Sequence, residues 1–266
     1  MSKANLVKSR LQRYLNYIHH SFRPSTRIHQ PPVTFTNKGF CYSCNQATRF
    51  TARYDWWRDH YVCENCRSVP RERAVMYCIE KFFPNWRESI IHESSPVGRG
   101  TSLRLKNEAS NYFATQYFPG GAPGQMHIGF RNENLEQLTF ENESIDLHVT
   151  QDVFEHIFNP AQAFREIART LKPGGAHIFT TPLVNKTSPT EWCARLDSTG
   201  AVEHLIAPEY HGNPVSADGS LVTVHWGFDI VKFIYDACGL FTEMIYLDAI
   251  DLGIRAEYIE VLITRK

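Results

Sequence analysis

The stretch SIDLHVTQDVFEHIFNPAQAFREIARTLKPGGAHIFTTP, residues 144–182, decides how this chain folds. Residues 144–150 read as a short β-strand. Residues 160–171 read as a helix, because Ala163, Phe164, Ile167, Ala168 and Leu171 recur at helical spacing behind Pro160. Lys172, Pro173, Gly174 and Gly175 form the turn that follows: Pro173 stops the helix, and the two glycines supply the backbone freedom for a tight reversal. Residues 176–181 are then the next strand. Strand, helix, turn and strand in this order imply a parallel sheet with helices packed on its faces.

The same alternation extends on both sides. Upstream, residues 89–93 form a short apolar strand, residues 94–100 a loop, residues 101–108 a helix, and residues 111–118 a second strand that ends in PGGAPG at 119–124. Downstream, residues 227–238 read as a helix, and residues 241–247 with 258–264 as a closing, hairpin-like pair of strands. In such sheets ligands sit at the carboxyl ends of the strands, near the switch point. Residues 183–226 are rich in Pro, Gly, Asn and His and read as an irregular lid or acceptor region.

A chain of 266 residues holds one α/β core and a small appendage. With 42% hydrophobic and 21% charged residues it falls outside the disordered and fibrous classes. The N-terminus lacks the apolar stretch and cleavage site of a secretory signal, so a cytoplasmic location with reduced cysteines is expected. Net charge is zero, yet residues 1–54 carry nine basic side chains and no acid, which leaves 19 basic against 28 acidic in the rest. Residues 1–35 are therefore a basic, partly helical arm. It meets an anionic surface (membrane, nucleic acid or a partner) or packs on the acidic body of its own chain.

Four of the seven cysteines are ordered as Cys41, Cys44, Cys63 and Cys66, two CxxC turns eighteen residues apart. This spacing is that of a zinc ribbon, expected over residues 36–69, in which four thiolates close a tetrahedron around a structural Zn2+. Cys78, Cys193 and Cys238 stand alone among apolar neighbours and read as buried thiols. Trp56 and Trp57 between the knuckles either stack on a base or sugar or attach the ribbon to the main domain. Pro70 opens a helix that carries Val75, Met76, Ile79, Phe82 and Phe83 towards that domain, residues 70–266.

The run from Ser144 to His156, with Asn159 and Pro160, the Leu171 to Gly175 turn and Thr181–Pro182, resembles the central part of class I S-adenosylmethionine-dependent methyltransferases of the type 11 domain. The resemblance covers about residues 88–182 and implies a Rossmann-like, seven-stranded α/β sheet. A four-cysteine ribbon followed by Arg71 and Arg73 is similar to bacterial methyltransferases associated with surface-glycan genes; another ribbon-bearing branch modifies ribosomal RNA.

The resemblance implies a cofactor site at Glu93, Ser94, Ser95, Gly98 and Gly100, where backbone approaches the methionine portion of S-adenosyl-L-methionine. It places Gln116 at the ribose, Asn134 and Leu135 at the adenine edge, and Gln151 beside the sulfur. Asp146 reads as a structural residue. Asp152, Glu155 and His156 follow the strand that carries Thr150 and are the catalytic candidates: His156 either takes a proton from the acceptor or orders the loop. Tyr210, His211, His225 and Trp226 are candidates to bind the acceptor, and His204, His211 and His225 to form a second metal site. The expected acceptor is a hydroxyl of a sugar, glycan or other polar small molecule. The alternatives are RNA methylation, with ribbon and basic arm as the grip, and a scaffold without catalysis.

Overall fold

The computed structural model describes residues 31–213 and 216–266, so the expected arm helix lies outside the described residues. Its first strands, β1 (Phe35–Cys41), β2 (Gln46–Ala52) and β3 (Tyr61–Cys63), form a three-stranded antiparallel sheet in the order β1-β2-β3. One turn of helix, α1 (Trp57–His60), separates the last two.

Helix α2 (Pro70–Phe82) leads into the main domain, where β4 (Ile90–Ser94), α3 (Gly100–Glu108), β5 (Asn111–Gln116), β6 (Met126–His127), β7 (Phe130–Asn132), β8 (Ile145–Gln151), α4 (Pro160–Thr170) and β9 (Leu171–Thr180) follow. The region after β9 is less irregular than its composition implies. β10 (Glu191–Trp192) pairs with β15 (Val224–His225), β11 (Ala194–Leu196) with β12 (Val202–His204), and β13 (Tyr210–Asn213) with β14 (Ser216–Leu221). Helix α5 (Ile230–Cys238), β16 (Thr242–Ile245) and β17 (Val261–Arg265) complete the chain.

The central sheet runs β16-β17-β9-β8-β4-β5-β7-β6. It has eight strands where seven were expected, because the two-residue β6 pairs antiparallel with β7 at the edge. β9, β8, β4, β5 and β7 are mutually parallel, and β17 is antiparallel to both β9 and β16. Strand order reverses between β4 and β8, so the switch point lies at the ends of Ser94 and Gln151. The Lys172–Gly175 turn belongs to β9: the register with β8 shifts between Ile145 and Leu147, and the Gly174 amide donates to the Lys266 carbonyl at 2.9 Å. The chain's own C-terminus thus pairs with these backbone groups, and the reversal becomes a bulge.

Alternation along the strands divides the core. Ile91, Leu147, Val149, Ala176, Ile178, Val261 and Ile263 face α2 and α3 through Val75, Met76, Ile79 and Leu105. Phe179 and Leu262 face α4 and α5 through Phe164, Ile167, Ile230 and Ile234. The small sheet has its own cluster of Phe50, Ala52 and Tyr61 and is fastened to the main domain by Arg73. That fully buried guanidinium lies 4.7 Å from the Phe50 ring centre and donates to the Gly253 carbonyl at 2.9 Å. Gly39 is required at this seam, since a Cβ there would lie 1.9 Å from the Asp251 carbonyl oxygen. Among the described residues no helix is long and apolar enough to cross a membrane.

Candidate functional site

At the end of β4, Glu93 is buried and accepts from Ser102 Oγ at 2.6 Å, Tyr112 OH at 2.8 Å and Gln151 Nε2 at 3.2 Å. Burial is the main influence on its carboxyl and pushes its pKa up to about 7, against these donors. Gln151 keeps its Oε1 buried and without a partner, a polar atom left over at the switch point. Beyond Ser94 the backbone turns through Ser95 at φ 56°, and Gly98 faces open space. Gly100 serves packing instead, because a Cβ there would lie 2.4 Å from Glu72 Oε2; its absence lets α3 close against α2.

Along the same rim, Gln116 is half-buried at the end of β5. Asn134 accepts from the Glu136 amide at 3.0 Å in a side-chain-closed turn, which fixes the backbone beside the buried Leu135. The sheet therefore brings Glu93, Ser94, Ser95, Gln116, Asn134, Leu135 and Gln151 to its carboxyl edge.

The three catalytic candidates differ in their surroundings. Asp152, at φ 53°, receives Arg58 and Arg71, each at 2.8 Å, and Thr180 Oγ1 at 3.1 Å. Burial alone would raise its pKa, but the Arg71 and Arg58 charges outweigh it and bring the value down to about 2. Both arginines come from the N-terminal part of the chain, one on α1 and one in the first turn of α2, and sequence reasoning gives them no role at this site. One signal was available: cations in a helix's first turn oppose its dipole, so Arg71 and Arg73 need partners outside the helix.

Glu155 is buried, with Oε2 accepting from Thr181 Oγ1 at 3.0 Å and Oε1 unpartnered. Burial and then the Asp152 charge raise its pKa to about 7. His156 Nδ1 lies 2.9 Å from the Leu221 carbonyl; burial lowers the pKa of the ring, so the neutral form donates this proton and leaves Nε2 as an acceptor.

Of the acceptor candidates, Tyr210 is 54% exposed, and His211 and His225 both turn to Glu209, at 3.2 and 3.1 Å. Trp226 is a correction: it is fully buried, donates to the Phe154 carbonyl at 3.3 Å and packs on Phe233, so it cannot touch an acceptor. The trio of His204, His211 and His225 is not brought together around one point. Among the described residues, His211 instead groups with Glu155 and His156.

The other cluster is formed by Cys41, Cys44, Cys63 and Cys66, whose sulfurs all lie within 4.8 Å of one another. Cys41 to Cys66 is 3.7 Å and Cys44 to Cys63 is 3.9 Å. These are far longer than a disulfide bond and close to the roughly 3.8 Å edge of a tetrahedron with ~2.3 Å metal–sulfur bonds. The Cys66 amide donates to the Cys63 sulfur at 3.5 Å, and the Cys66 thiol donates to Ser68 Oγ at 3.1 Å.

A doubly wound α/β sheet with polar groups gathered at its switch point defines a ligand-binding fold of the Rossmann kind. Residues 99–179 match the family model described as a methyltransferase domain. A probable S-adenosylmethionine-dependent methyltransferase of Mycolicibacterium smegmatis is 36% identical over 55 residues, 21% of each chain. The dimethylglycine N-methyltransferase of Parasynechococcus marenigrum is 34% identical over 59 residues, 22% of this chain and 21% of the other. The chain thus aligns with about a fifth of the length of the curated relatives it matches. The crystal structure of an S-adenosylmethionine-dependent methyltransferase from Mesorhizobium loti superposes with a TM-score of 0.47 at 16% identity, covering 73% of this chain and 98% of that one.

Proposed function

We propose that this chain transfers a methyl group from S-adenosylmethionine to a hydroxyl of a sugar or another polar small molecule. The observation that carries the reading is the match of residues 99–179 to a methyltransferase domain, because that segment supplies β8 and β9 on one side of the switch point and β5 beyond β4 on the other. The residues present fit the cofactor: the unpartnered Gln151 Oε1 and the open approach at Gly98 leave room and polarity for it. Ser94, Ser95 and Gly98 would hold its methionine portion, Gln116 its ribose, and Asn134 with Leu135 its adenine. When bound, the cofactor supplies an electrophilic methyl on a sulfonium centre. The chain's part is to align the acceptor, exclude water and receive its proton, for which the neutral His156 at this edge is suited.

The cysteine cluster fits a structural Zn2+ held by four thiolates, with the buried Arg73 charge nearby as compensation. Cys63→Ser should remove about one equivalent of tightly bound zinc and destabilise the chain by roughly 5 kcal/mol or more. Metal analysis and thermal unfolding check both; unchanged zinc content would remove this assignment.

Titration calorimetry of the full chain with S-adenosylmethionine tests the main reading. Saturable heat that is weakened roughly tenfold by Gln151→Ala supports it, since a hydrogen bond to a charged ligand contributes about 1.5–3 kcal/mol. No heat and no thermal shift at millimolar cofactor overturns it. Labelled methyl transfer into nucleotide-sugar, glycan and RNA pools then fixes the acceptor, and incorporation into RNA alone would replace the sugar.

A further inference from the structure

We propose that Glu155, His156 and His211 form a binding site for a divalent transition-metal ion at the carboxyl edge of β8, separate from the four cysteines. The Glu155 Oε1 atom lies 3.7 Å from His156 Nε2 and 3.9 Å from His211 Nδ1. All three candidate donor atoms lie within 4.8 Å of one another. These gaps are too long for hydrogen bonds. They are within a few tenths of an ångström of the roughly 3.4 Å that separates two donors on one tetrahedral ion with ~2.1 Å bonds.

Proton accounting shows why a cation belongs between them. His156 donates its Nδ1 proton to the Leu221 carbonyl at 2.9 Å, which turns a bare Nε2 lone pair towards Glu155. His211 Nε2 faces the Glu209 carboxylate at 3.2 Å, an acceptor, so Nε2 carries the proton and Nδ1 presents a lone pair to the same point. Glu155 Oε1 is buried, on a residue 2% exposed, and has no donor of its own. With Glu155 ionised and both rings neutral, three lone pairs converge with no hydrogen between them, an arrangement that repels itself until a positive centre enters.

The outer partners are those of a metal site. Ligating imidazoles donate their second N–H to a backbone carbonyl or a carboxylate, which fixes ring and tautomer, and here one does each. Thr223 adds rigidity by donating its hydroxyl to the Glu155 and Ile157 carbonyls at 3.1 and 2.8 Å. Two imidazoles and one carboxylate favour Zn2+, Mn2+, Fe2+ or Co2+ over Mg2+ or Ca2+, which prefer all-oxygen shells. His211 is 38% exposed and His156 19%, so the site opens to solvent on one side. An acceptor hydroxyl would take an open coordination position there; with Nε2 on the metal and Nδ1 bonded to the Leu221 carbonyl, His156 then holds the ion in place of receiving the acceptor's proton, and this role, unlike the metal site itself, rests on the methyl-transfer reading.

Cobalt titration of the full chain, followed by absorbance and metal analysis, is the test. Cobalt in the tetrathiolate gives intense sulfur-to-metal charge transfer, whereas cobalt on imidazole and carboxylate gives only weak d–d bands. Wild type should take up a second equivalent of the weak-band kind. Glu155→Gln and His211→Ala should each lose that equivalent while the thiolate spectrum stays unchanged. Glu209→Gln, which removes the charge holding His211, should weaken it by roughly 10- to 100-fold. His225→Ala should leave it in place, since that ring does not face Glu155. A wild-type chain that binds only thiolate-type cobalt overturns the proposal, as does a second equivalent unaffected by Glu155→Gln. Calorimetry with S-adenosylmethionine on the same samples separates the two ideas: cofactor binding without the second metal leaves the methyltransferase reading standing alone, and the converse leaves the metal site.

Discussion

Two sets of three histidines occupy this chain, and the same side chain does different work in each. His92, His148 and His177 lie in register across β4, β8 and β9 and are fully buried. The Thr170 hydroxyl donates to the Glu166 carbonyl at 2.8 Å and so accepts from His148 Nε2 at 2.9 Å. His148 Nδ1 then accepts from His92 Nδ1 at 2.8 Å, and His92 Nε2 accepts from the Thr115 hydroxyl at 2.8 Å. His92 and His148 are thus closed, directional and neutral, while His177 is held by Thr150 Oγ1 at 3.0 Å and leaves Nδ1 buried without a partner. His156, His211 and His225, at the strand ends, have protons anchored on a carbonyl or on Glu209, and two of them turn lone pairs to the unpartnered Glu155 oxygen. What the second ring nitrogen faces separates the two kinds: another row member, a hydroxyl or apolar core in the row, and the unpartnered Glu155 oxygen for His156 and His211 at the edge.

The strongest contrast is at Asp152, which shares the edge turn with Glu155 but is answered by two cations. Asp152→Asn leaves the nearly buried Arg58 and Arg71 without their common carboxylate and should destabilise the fold by roughly 3–4 kcal/mol. Glu155→Gln, at the unanswered position, should change stability by less than about 1 kcal/mol. Urea unfolding of both variants measures the contrast; equal losses would mean that the edge is framework like the row.

A second contrast is set by pH. Burial lowers the pKa of His92 and His177 to about 3 and that of His148 well below its usual value. The stability these neutral rings supply is complete above the unfolded value near 6.5 and is lost as pH falls towards 3. Glu93 works in the opposite sense: its pKa is raised to about 7, so its contribution is complete below about 4.5 and lost as pH rises through 7. A single substitution isolates one ring from this background. His177 stacks on Phe179 at 4.2 Å, its Nδ1 has no partner, and its Nε2 bonds Thr150 Oγ1 at 3.0 Å. His177→Phe should therefore be within about 1 kcal/mol of wild type at pH 7.5. At pH 4.5 it should be more stable by roughly 2–3 kcal/mol, which is two pH units at about 1.4 kcal/mol each. Parallel acid curves for the two proteins would contradict the neutral row.

How much of this was legible in the sequence follows from how local each feature is. The two CxxC turns and the strand–helix–turn–strand run from 144 to 182 are encoded within a few residues of each other, so spacing alone exposes them. The carboxyl edge of β4 and β8 was readable because topology fixes it once the alternation is seen. Arg58 and Arg71 on Asp152 are contacts between distant segments with no shared period; the first-turn position of Arg71 signals that it needs a partner but not which one. Trp226 went the other way: an aromatic in a segment full of polar residues looked like a binding residue and proved to be core, because β15 runs straight into the cluster under α5. Edge strand β6 is only two residues long, below what any periodicity can register.

The weakest effect is the most discriminating for the edge histidines. His211 is 38% exposed, sits on the β13–β14 hairpin, and has a carboxylate on one nitrogen and a gap on the other. Truncation therefore removes one exposed charge-assisted contact and little buried area, so His211→Ala should shift metal-free stability by less than about 0.5 kcal/mol. Starting from protein whose four-cysteine site is already filled, excess zinc should stabilise wild type further by mass action, about 2.7 kcal/mol at a hundredfold excess over the dissociation constant of the second site, and should not stabilise His211→Ala further. Thermal unfolding of both proteins with and without added metal, at fixed pH above 7, reads the difference directly. A framework histidine would behave in reverse, costing stability without metal and showing no metal-dependent gap.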